Sequence, residues 1–271
     1  MITSTRNQHA VLSRKLANKK HREREGLTLI EGVRVLETAL DAGVTFAFIL
    51  AEESFLEDPH TSTLMARAYT AGALILPATS EVIGSVSSVA TPQGFVAAVR
   101  IPDRTYGDVL DAAKRQEESG NSLLVIGDRI SDPGNLGVLT RTARALGAAG
   151  YMTTPGTVDA FSPRVIRASA GMVFSIPGAQ GISGNAMMEE LRRRGYAVIA
   201  SSPEAEREIW EYTPDSRIAL LVGEEAAGVS SELMTAADEV LRIPMVPGAE
   251  SLNVASAAAI FLYEFSPLRR P

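Results

Sequence analysis

A loop near the middle of the chain combines residue types that could bind an anion. Asp132-Pro-Gly-Asn135 follows an apolar run and precedes an amphipathic segment, so Asn135 is predicted near the first turn of a helix. The free amides of a first turn attract anions. The apolar side chains of that helix share one face, which directs Arg141 away from the core. A guanidinium there can hold a phosphate through two hydrogen bonds, and the alternative is an ordinary solvated side chain.

A second loop, Gly223-Glu-Glu225-Ala-Ala-Gly228, follows another apolar run. Its two glycines have the spacing of the outer glycines of a P-loop, but Val229 stands where a P-loop requires lysine. The sequence also lacks GxGxxG, and in Arg167-Ala-Ser169 an arginine stands where the first glycine of GxSxG belongs. These departures argue against nucleotide hydrolysis, nicotinamide binding and a serine hydrolase. With three histidines and no cysteine, we expect no metal site.

The third loop lies between Arg242 and Ser251 and contains Pro244, Pro247 and Gly248. Ser251 is predicted as the N-cap of the last helix, because its hydroxyl can accept a hydrogen bond from a free amide of the first turn. The helix beyond it carries apolar residues on all sides, which is typical of a helix buried in a core or against a partner chain. The simplest alternative is a buried terminal helix after a proline-rich turn.

All three loops follow predicted strands, and α/β proteins hold ligands in the crevice at the carboxyl ends of their strands. We therefore expect the loops to converge on one site. They offer backbone groups and small side chains rather than a set of cationic phosphate ligands. Such a site suits an uncharged or cationic cofactor with an adenosine part better than a triphosphate.

The charge of the chain is unevenly distributed. The 271 residues carry a net charge of -6, yet the only acids among the first twenty-five residues are Glu23 and Glu25. The cations of this basic arm are Arg6, Arg14, Lys15, Lys19, Lys20, Arg22 and Arg24. Two interpretations remain open, namely a phosphate-binding surface for nucleic acid, or a solvated and partly disordered helix.

The bulk composition excludes some classes of protein. A hydrophobic content of 45% supports one sizeable core or two ordinary domains, and no apolar run approaches the roughly 18 residues of a membrane span. The first residues lack the apolar region of a signal peptide, and the absence of cysteine excludes disulfides. We expect a soluble cytoplasmic protein that binds no membrane.

Apolar runs and amphipathic segments alternate along the chain, which predicts an α/β fold. We expect residues 1–103 to form a small N-terminal domain, residues 104–120 a partly helical linker, and residues 121–271 a second domain. Short continuous apolar strands in the second half predict a parallel sheet covered on both faces. Val173–Ile176 is predicted as a further strand or extended piece.

Three separated segments together resemble the motifs of the SpoU (TrmH-like) branch of the SPOUT RNA ribose methyltransferases. They are Asp132-Pro-Gly-Asn135-Leu-Gly with Arg141-Thr-Ala, Gly223-Glu-Glu225 with Gly228, and Ile243-Pro-Met with Ser251-Leu-Asn-Val254. The resemblance covers about residues 122–265 in the family's order and spacing. The segment Leu29-Ile-Glu-Gly-Val-Arg34-Val-Leu-Glu, after the basic arm, more weakly resembles the small N-terminal substrate-binding domain of many members.

The resemblance implies transfer of a methyl group from S-adenosylmethionine to a ribose 2′-hydroxyl of RNA, with ribosomal RNA favoured over transfer RNA. It also implies a C-terminal parallel-sheet domain whose deep trefoil knot holds the cofactor, and a homodimer through that domain. The cofactor would be bound by Gly223, Ile243 and Leu252. The reaction site would be formed by Asn135, Arg141, Glu225, Ser251 and Asn253.

Further implications concern single residues. RNA would be bound by Lys19, Lys20, Arg22 and Arg34. Family members most often carry Asn where this chain has Glu224, which puts any specific contact of that side chain in question. Ser169 and Gly171 match another family segment, for which we expect a packing role. Arg141 is expected to fix a phosphate and stabilise developing negative charge, because a guanidinium stays protonated in proteins.

Two alternatives remain. The first is a catalytically silent RNA-binding or ribosome-assembly protein on the same fold, against which all five reaction-site residues are present. The second is a related enzyme that methylates a base nitrogen, against which the Ser251-Leu-Asn-Val254 signature favours ribose.

Overall fold

The computed structural model describes residues 1–118, 120–225, 227–246, 248 and 251–268. Pro247, which the sequence places in the third loop, lies outside the described residues. The chain divides into two compact units. The first unit contains Met1–Asp103 and Phe161–Ser175, and the second contains Arg104–Ala160 and Ile176–Pro271 as far as these ranges are described.

Helices and strands alternate through most of the described chain. The α-helices are α1 (Gln8–Leu16), α2 (Lys19–Glu25), α3 (Val33–Asp41), α4 (Glu53–Glu57), α5 (Pro59–Thr70), α6 (Ser80–Val86), α7 (Tyr106–Glu117), α8 (Pro133–Ala145), α9 (Pro163–Ala168), α10 (Gly184–Arg193), α11 (Ser231–Ala236) and α12 (Val254–Glu264). The strands are β1 (Leu27–Ile30), β2 (Phe46–Ala51), β3 (Leu74–Pro77), β4 (Phe95–Arg100), β5 (Ser122–Asp128), β6 (Gly150–Thr153), β7 (Gly178–Ala179), β8 (Ala197–Ser201), β9 (Arg207–Glu208), β10 (Arg217–Gly223) and β11 (Glu239–Arg242).

The first unit is built on a mixed four-stranded sheet with the order β1-β4-β2-β3. Strand β4 pairs antiparallel with both β1 and β2, and β3 runs parallel to β2. Apolar residues of α1 and α6, among them Leu16, Val82 and Ile83, pack with strand residues such as Leu29 and Phe48 in one core. The basic arm therefore begins with two helices, of which α1 is tied to the sheet by its apolar face.

A segment from the second half of the sequence belongs to the first unit. The hydroxyl of Thr28 in β1 donates a hydrogen bond to the carbonyl oxygen of Phe161 at 2.7 Å. The predicted strand Val173–Ile176 is wrong, since Met172–Phe174 forms a short 3-10 helix. Gly171 precedes it with a φ of 80°, and this left-handed turn redirects the chain. Ser169 is fully buried and its hydroxyl donates to the carbonyl of Ile166, as its packing role predicts.

The second unit contains a seven-stranded sheet with the order β7-β6-β5-β10-β8-β11-β9, and every pair in it is parallel. Leu124 and Ile126 of β5 pack with buried residues of α7 and α10 on one face. Alternate strand residues point to the other face, where α12 packs on α8 and β10. The α/β class and the parallel sheet covered on both faces are therefore confirmed.

The segment predicted as a linker, residues 104–120, is largely helical. Thr105 begins α7 with a capping box, because its side chain and that of Asp108 bond reciprocally to each other's backbone amides. Val109, Leu110 and Ala113 of this helix are buried in the core of the second unit. An apolar face hidden among charged residues explains why the sequence of this segment resembles a connector. None of the described helices is long and apolar enough to cross a bilayer.

We expect Gly171→Ala to destabilise the first unit more than Gly72→Ala. Both glycines have positive φ, 80° and 88°, where alanine is strained by about 1 kcal/mol. A methyl group at Gly171 would also lie 3.0 Å from Cβ of Thr38 and 3.2 Å from the carbonyl oxygen of Val35, whereas nothing lies within 4 Å at Gly72. Urea unfolding should show a loss of about 2–4 kcal/mol for the first variant and about 1 kcal/mol for the second. Equal losses would contradict the packing role of Gly171.

Candidate active site

The carboxyl ends of β5 and β10 lie side by side in the second sheet, where Asp128 is the partner of Gly223. The loops that follow these two strands are the first and second loops predicted from the sequence. Residues of the third loop reach the same place, since Ile243 and Leu252 line one cavity together with Gly223. The predicted convergence of three strand-end loops is therefore confirmed.

This cavity has a volume of about 340 Å³, which is in the range of small-molecule sites. Its apolar lining includes Met245, Val254 and Phe261 besides Ile243 and Leu252. Three carboxylates, those of Glu204, Glu224 and Glu225, also line it, and none of its described lining residues is cationic. Such a lining favours a ligand that has both an apolar ring and a positive charge, and it disfavours a polyphosphate.

Gly223 forms part of the cavity wall, and no side chain would fit at its position. A Cβ there would lie 2.1 Å from the carbonyl carbon of Gly228 and 2.1 Å from the backbone nitrogen of Val229. The backbone amide of Gly228 donates to the carbonyl oxygen of Glu224 at 2.7 Å and closes the loop. The glycine spacing that imitates a P-loop is thus the signature of a tight backbone turn.

Asn253 joins the three loops through its side-chain amide. Its Oδ1 accepts hydrogen bonds from the backbone amides of Ala255 at 3.0 Å and Ser256 at 3.2 Å, at the start of α12. Its Nδ2 donates to Oδ1 of Asn135 at 2.9 Å and to a carboxylate oxygen of Glu225. Three of the five predicted reaction-site residues are therefore in direct contact.

The prediction that Ser251 caps the last helix is wrong. Helix α12 begins at Val254, and Asn253 is its N-cap. Both side chains can accept a hydrogen bond from a first-turn amide, but Asn253 stands directly before the first helical residue. Ser251 is exposed and lines the cavity together with Leu252.

A smaller cavity of about 110 Å³ adjoins the first one and shares Glu224, Glu225 and Val254 with it. Its remaining lining comes from the first loop and includes Ser131 and Asn135. The hydroxyl of Ser131 donates to a carboxylate oxygen of Glu224 at 2.9 Å. Glu224 therefore has a specific contact, although it departs from the family pattern, and this contact joins the first and second loops.

Asp128, at the end of β5, binds the loops through hydrogen bonds, and no sequence motif pointed to it. It is 2% exposed, and its carboxylate accepts the hydroxyl of Thr154 at 2.6 Å and the backbone amide of Ser230 at 2.8 Å. Burial raises its pKa, but these hydrogen bonds and the charge of Arg129 outweigh burial, so the pKa of Asp128 is lowered overall. The available signal was an acidic residue at the end of a fully apolar strand.

Arg141 is the remaining predicted reaction-site residue. It is exposed on α8 and lines neither of the two cavities. Within the described residues, its guanidinium forms no hydrogen bond or ion pair, so its five donors are available to a ligand. Its predicted outward direction agrees with the structure.

The four predicted RNA-binding residues belong to the first unit, and one of them is buried and bonded to the backbone of the protein. Arg22 is 3% exposed, and its guanidinium donates to the carbonyl oxygens of Leu16 and Ala17 at 2.9 Å each. It satisfies the end of α1, so we remove it from the predicted RNA contacts. Lys20 is exposed, Lys19 forms an exposed ion pair with Glu23 at 3.7 Å, and Arg34 has a side chain that is 79% exposed.

Comparison with known families decides the identity of the second unit. The family model described as the SpoU rRNA Methylase family matches residues 122–263, which is just over half of the chain. The chain belongs to this family. A second model, described as an MRM3-like substrate binding domain, matches residues 8–97.

Relatives of this SpoU protein match it over nearly its whole length. It is 30% identical to the 23S rRNA (guanosine(2553)-2′-O)-methyltransferase RlmP of Bacillus subtilis, over 97% of each chain. It is 32% identical to a Synechocystis protein named as an uncharacterized tRNA/rRNA methyltransferase, over 97% of this chain and 92% of the relative. The crystal structure of the SpoU methyltransferase AviRb from Streptomyces viridochromogenes, in complex with AdoMet, superposes with a TM-score of 0.85 and 26% identity, covering 96% and 97% of the two chains.

These matches confirm the fold class predicted for the SpoU protein, a C-terminal SPOUT methyltransferase domain preceded by a small α/β domain. Among the described residues, no group of three or more His, Cys, Asp or Glu side chains is arranged to hold a metal ion. The site consists of amides, carboxylates and apolar surface.

We expect Asp128→Asn to destabilise the second unit at neutral pH by about 1–3 kcal/mol, because an amide replaces a charged acceptor of two hydrogen bonds. The folded pKa of Asp128 is lowered, so its contribution is present above the ordinary aspartate pKa and is lost as pH falls through the folded value. The difference in free energy of unfolding between the wild type and the variant should therefore become smaller in acid. Unfolding curves across the acid range measure this, with exposed Asp41→Asn as the control. A gap that widens in acid would contradict the assignment.

Proposed function

We propose that this SpoU protein transfers a methyl group from S-adenosylmethionine to a ribose 2′-hydroxyl of ribosomal RNA. The observation that carries the proposal is the cavity formed by Gly223, Ile243 and Leu252 beside the contact of Asn253 with Asn135 and Glu225. Family membership supports the reaction class. Relatives named as 23S rRNA 2′-O-methyltransferases support ribosomal RNA rather than transfer RNA.

The lining of the cavity fits S-adenosylmethionine. Ile243, Leu252 and Phe261 offer an apolar slot for adenine. Gly223 lets the backbone of Gly228 and Val229 pack against its own, which fixes the shape of this part of the cavity. The carboxylates of Glu204, Glu224 and Glu225 favour a cation. We include the trefoil knot in this proposal, since the segment after β11 lines the cavity together with the end of β10 and then packs as α12 on α8 and β10.

When bound, S-adenosylmethionine supplies a methyl group that is already activated by the sulfonium charge. The task of the protein is then to align the ribose hydroxyl and to assist loss of its proton. Asn135, Glu225 and Asn253 fix one another through direct hydrogen bonds, which holds the polar wall of the site in one geometry. Ser251 lines the same cavity, which supports a role for its hydroxyl in orienting the ligand.

Arg141 has a separate role in this proposal. A guanidinium stays protonated, so it cannot act as the base. It can grip the phosphate next to the target ribose through two parallel hydrogen bonds and stabilise the charge that develops on the ribose oxygen. Its exposure and its free donors among the described residues are what such a role needs.

RNA recognition is assigned to the first unit. We propose that residues 1–103 supply most of the substrate-binding domain and residues 121–271 most of the methyltransferase domain. Residues 104–120 lead from one to the other, although their helix α7 packs in the second unit, and residues 161–175 belong to the first unit. The match of residues 8–97 to a substrate binding domain supports this division. The proposed RNA contacts are now Lys19, Lys20 and Arg34, which are exposed in the structure.

The working unit is proposed to be a homodimer in the cytoplasm. Ile260 and Tyr263 on α12 are 43% and 62% exposed, and Val138 on the neighbouring α8 is 42% exposed. Exposed apolar side chains on two helices that pack together favour a protein partner. A second copy that contributes the same two helices would bury them.

The cofactor assignment predicts that Leu252→Trp abolishes binding of S-adenosylmethionine in a calorimetric titration. Leu252 is 38% exposed and lines the cavity, so the indole would occupy the adenine slot without disturbing a buried core. Leu268→Trp, at an apolar site that is 67% exposed and outside the cavity, is the matched control and should bind normally. Saturable binding by the Leu252 variant would contradict the position of the cofactor.

If Arg141 acts as a phosphate clamp, binding the phosphate through two hydrogen bonds, Arg141→Lys should lower kcat by about tenfold to a hundredfold. The affinity for S-adenosylmethionine should be unchanged. Lysine keeps the charge but loses the planar fork. The pH–rate profile should keep its shape, because no proton acceptor has been removed. Arg144→Lys, at another exposed arginine of α8, is the control. Near-wild-type turnover of Arg141→Lys would remove the clamp, and a new limb in its profile would mark Arg141 as an acid or base.

A further inference from the structure

A second cavity of the methyltransferase unit, of about 410 Å³, is lined by an unusual concentration of cations. The charged residues that line this basic pocket are Lys114 of α7, Arg192, Arg193 and Arg194 at the end of α10, Arg217 at the start of β10, and the single acid Glu117. Five cations in one cavity stand out on a chain whose net charge is -6. No part of the proposed methyl transfer uses them.

Two of these five cations, Lys114 and Arg192, form no ion pair among the described residues. Arg192 donates to the carbonyl oxygen of Ala236 at 2.6 Å, and Arg217 donates to the carbonyl oxygen of Arg194 at 2.7 Å. A carbonyl oxygen holds a guanidinium in place without cancelling its charge. Lys114 has no side-chain partner among the described residues. Nε of Arg217 is buried and, within the described part of the chain, makes no hydrogen bond.

Two carboxylates neutralise part of the basic pocket. Glu117 pairs with Arg217, and Glu190 is shared by Arg193 and Arg194, at 2.6 Å from each. The arginine hydrogen bonds lower the pKa of Glu190 to about 2, so it stays ionised. The ends of α7 and α10 add about half a negative charge each. After both carboxylates and both helix ends are counted, a positive charge of about two remains. This surplus distinguishes the pocket from simple capping of two helices.

The basic pocket lies at the opposite edge of the sheet from the methyl-transfer site. It surrounds the first residue of β10, Arg217, whereas the cofactor cavity begins at the last residue, Gly223. The seven residues of β10 span about 20 Å from one site to the other. A ligand of the basic pocket therefore does not compete for the cofactor cavity.

We propose that the basic pocket is a second anion site, which binds a ligand with at least two adjacent phosphate groups. Guanidinium forks suit phosphate oxygens, and a residual charge of about two matches two phosphates better than one carboxylate. Two sources share this chemistry, namely the backbone of an RNA strand and a free nucleoside triphosphate. The proposal does not rest on the methyl-transfer reaction, because it concerns binding at the other edge of the sheet.

Calorimetric titration with inorganic tripolyphosphate tests the site, at about 0.1 M salt so that exposed charges are screened beyond about 10 Å. We expect saturable binding by the wild type and an affinity lowered by about tenfold or more in Lys114→Gln/Arg192→Gln. Both side chains are exposed, so the fold should survive, and an unchanged Tm verifies it. Arg193→Gln is a second variant that should also weaken binding if the double variant melts early. The proposal would be overturned if the wild type did not bind tripolyphosphate, or if both variants bound it with the affinity of the wild type.

A matched control removes two exposed cations outside the basic pocket, as Arg67→Gln/Arg115→Gln, and should bind tripolyphosphate like the wild type. Equal weakening in this control would reduce the effect to net charge and overturn the site.

Two further arms identify the source of the phosphates. If RNA is the ligand, Lys114→Gln/Arg192→Gln should weaken binding of a single-stranded RNA and reduce its salt slope by roughly one to one and a half. If a nucleotide is the ligand, GTP or ATP should displace tripolyphosphate while RNA affinity is unchanged in the variant. Either result supports a phosphate site. Failure of both RNA and nucleotides to displace tripolyphosphate would contradict it.

Discussion

The proposed reaction site depends on the hydrogen bonds of the Asn253 side-chain amide. Its oxygen caps α12, and its nitrogen donates to Asn135 and Glu225, so one group fixes the start of a helix and the first and second loops. Neither aspartate nor serine can replace it, because aspartate has no donor and serine has only one. The cap and the contacts also set the position of Ser251 and Leu252, which directly precede Asn253 and line the cofactor cavity.

Two features beneath this amide keep the loops close enough for it to act. Gly223 permits a backbone approach that any side chain would block, and Asp128 draws the loops after three strands towards one buried carboxylate. Ser131 and Glu224 add a third tie between the first and second loops. The chemistry of the site is therefore built from hydrogen bonds between loops, on a sheet whose parallel strands all end at one edge.

Sequence reasoning recovered those parts that depend on local pattern. Short continuous apolar runs in the second half predicted a parallel sheet covered on both faces, and strands such as β5 and β10 form it. Sequence reasoning did not predict features that depend on which residues lie close together in the folded chain. The burial of Arg22 depends on the carbonyls at the end of α1, and a count of charges cannot detect it. The helical turn at Met172–Phe174 follows from the positive φ of Gly171. The cavity residues were identified through the family motifs, whereas Asp128 and the basic pocket required coordinates.

The central claim is that the site methylates ribose, and the identity of the methylated nucleoside tests it most directly. Unmethylated ribosomal RNA would be incubated with the protein and methyl-labelled S-adenosylmethionine, digested to nucleosides and analysed by mass spectrometry. The account predicts the label on a 2′-O-methylnucleoside, and its loss with Asn253→Ala, which removes both the helix cap and the contacts to Asn135 and Glu225. Label on a base, no transfer by the wild type, or undiminished transfer by the variant would contradict it.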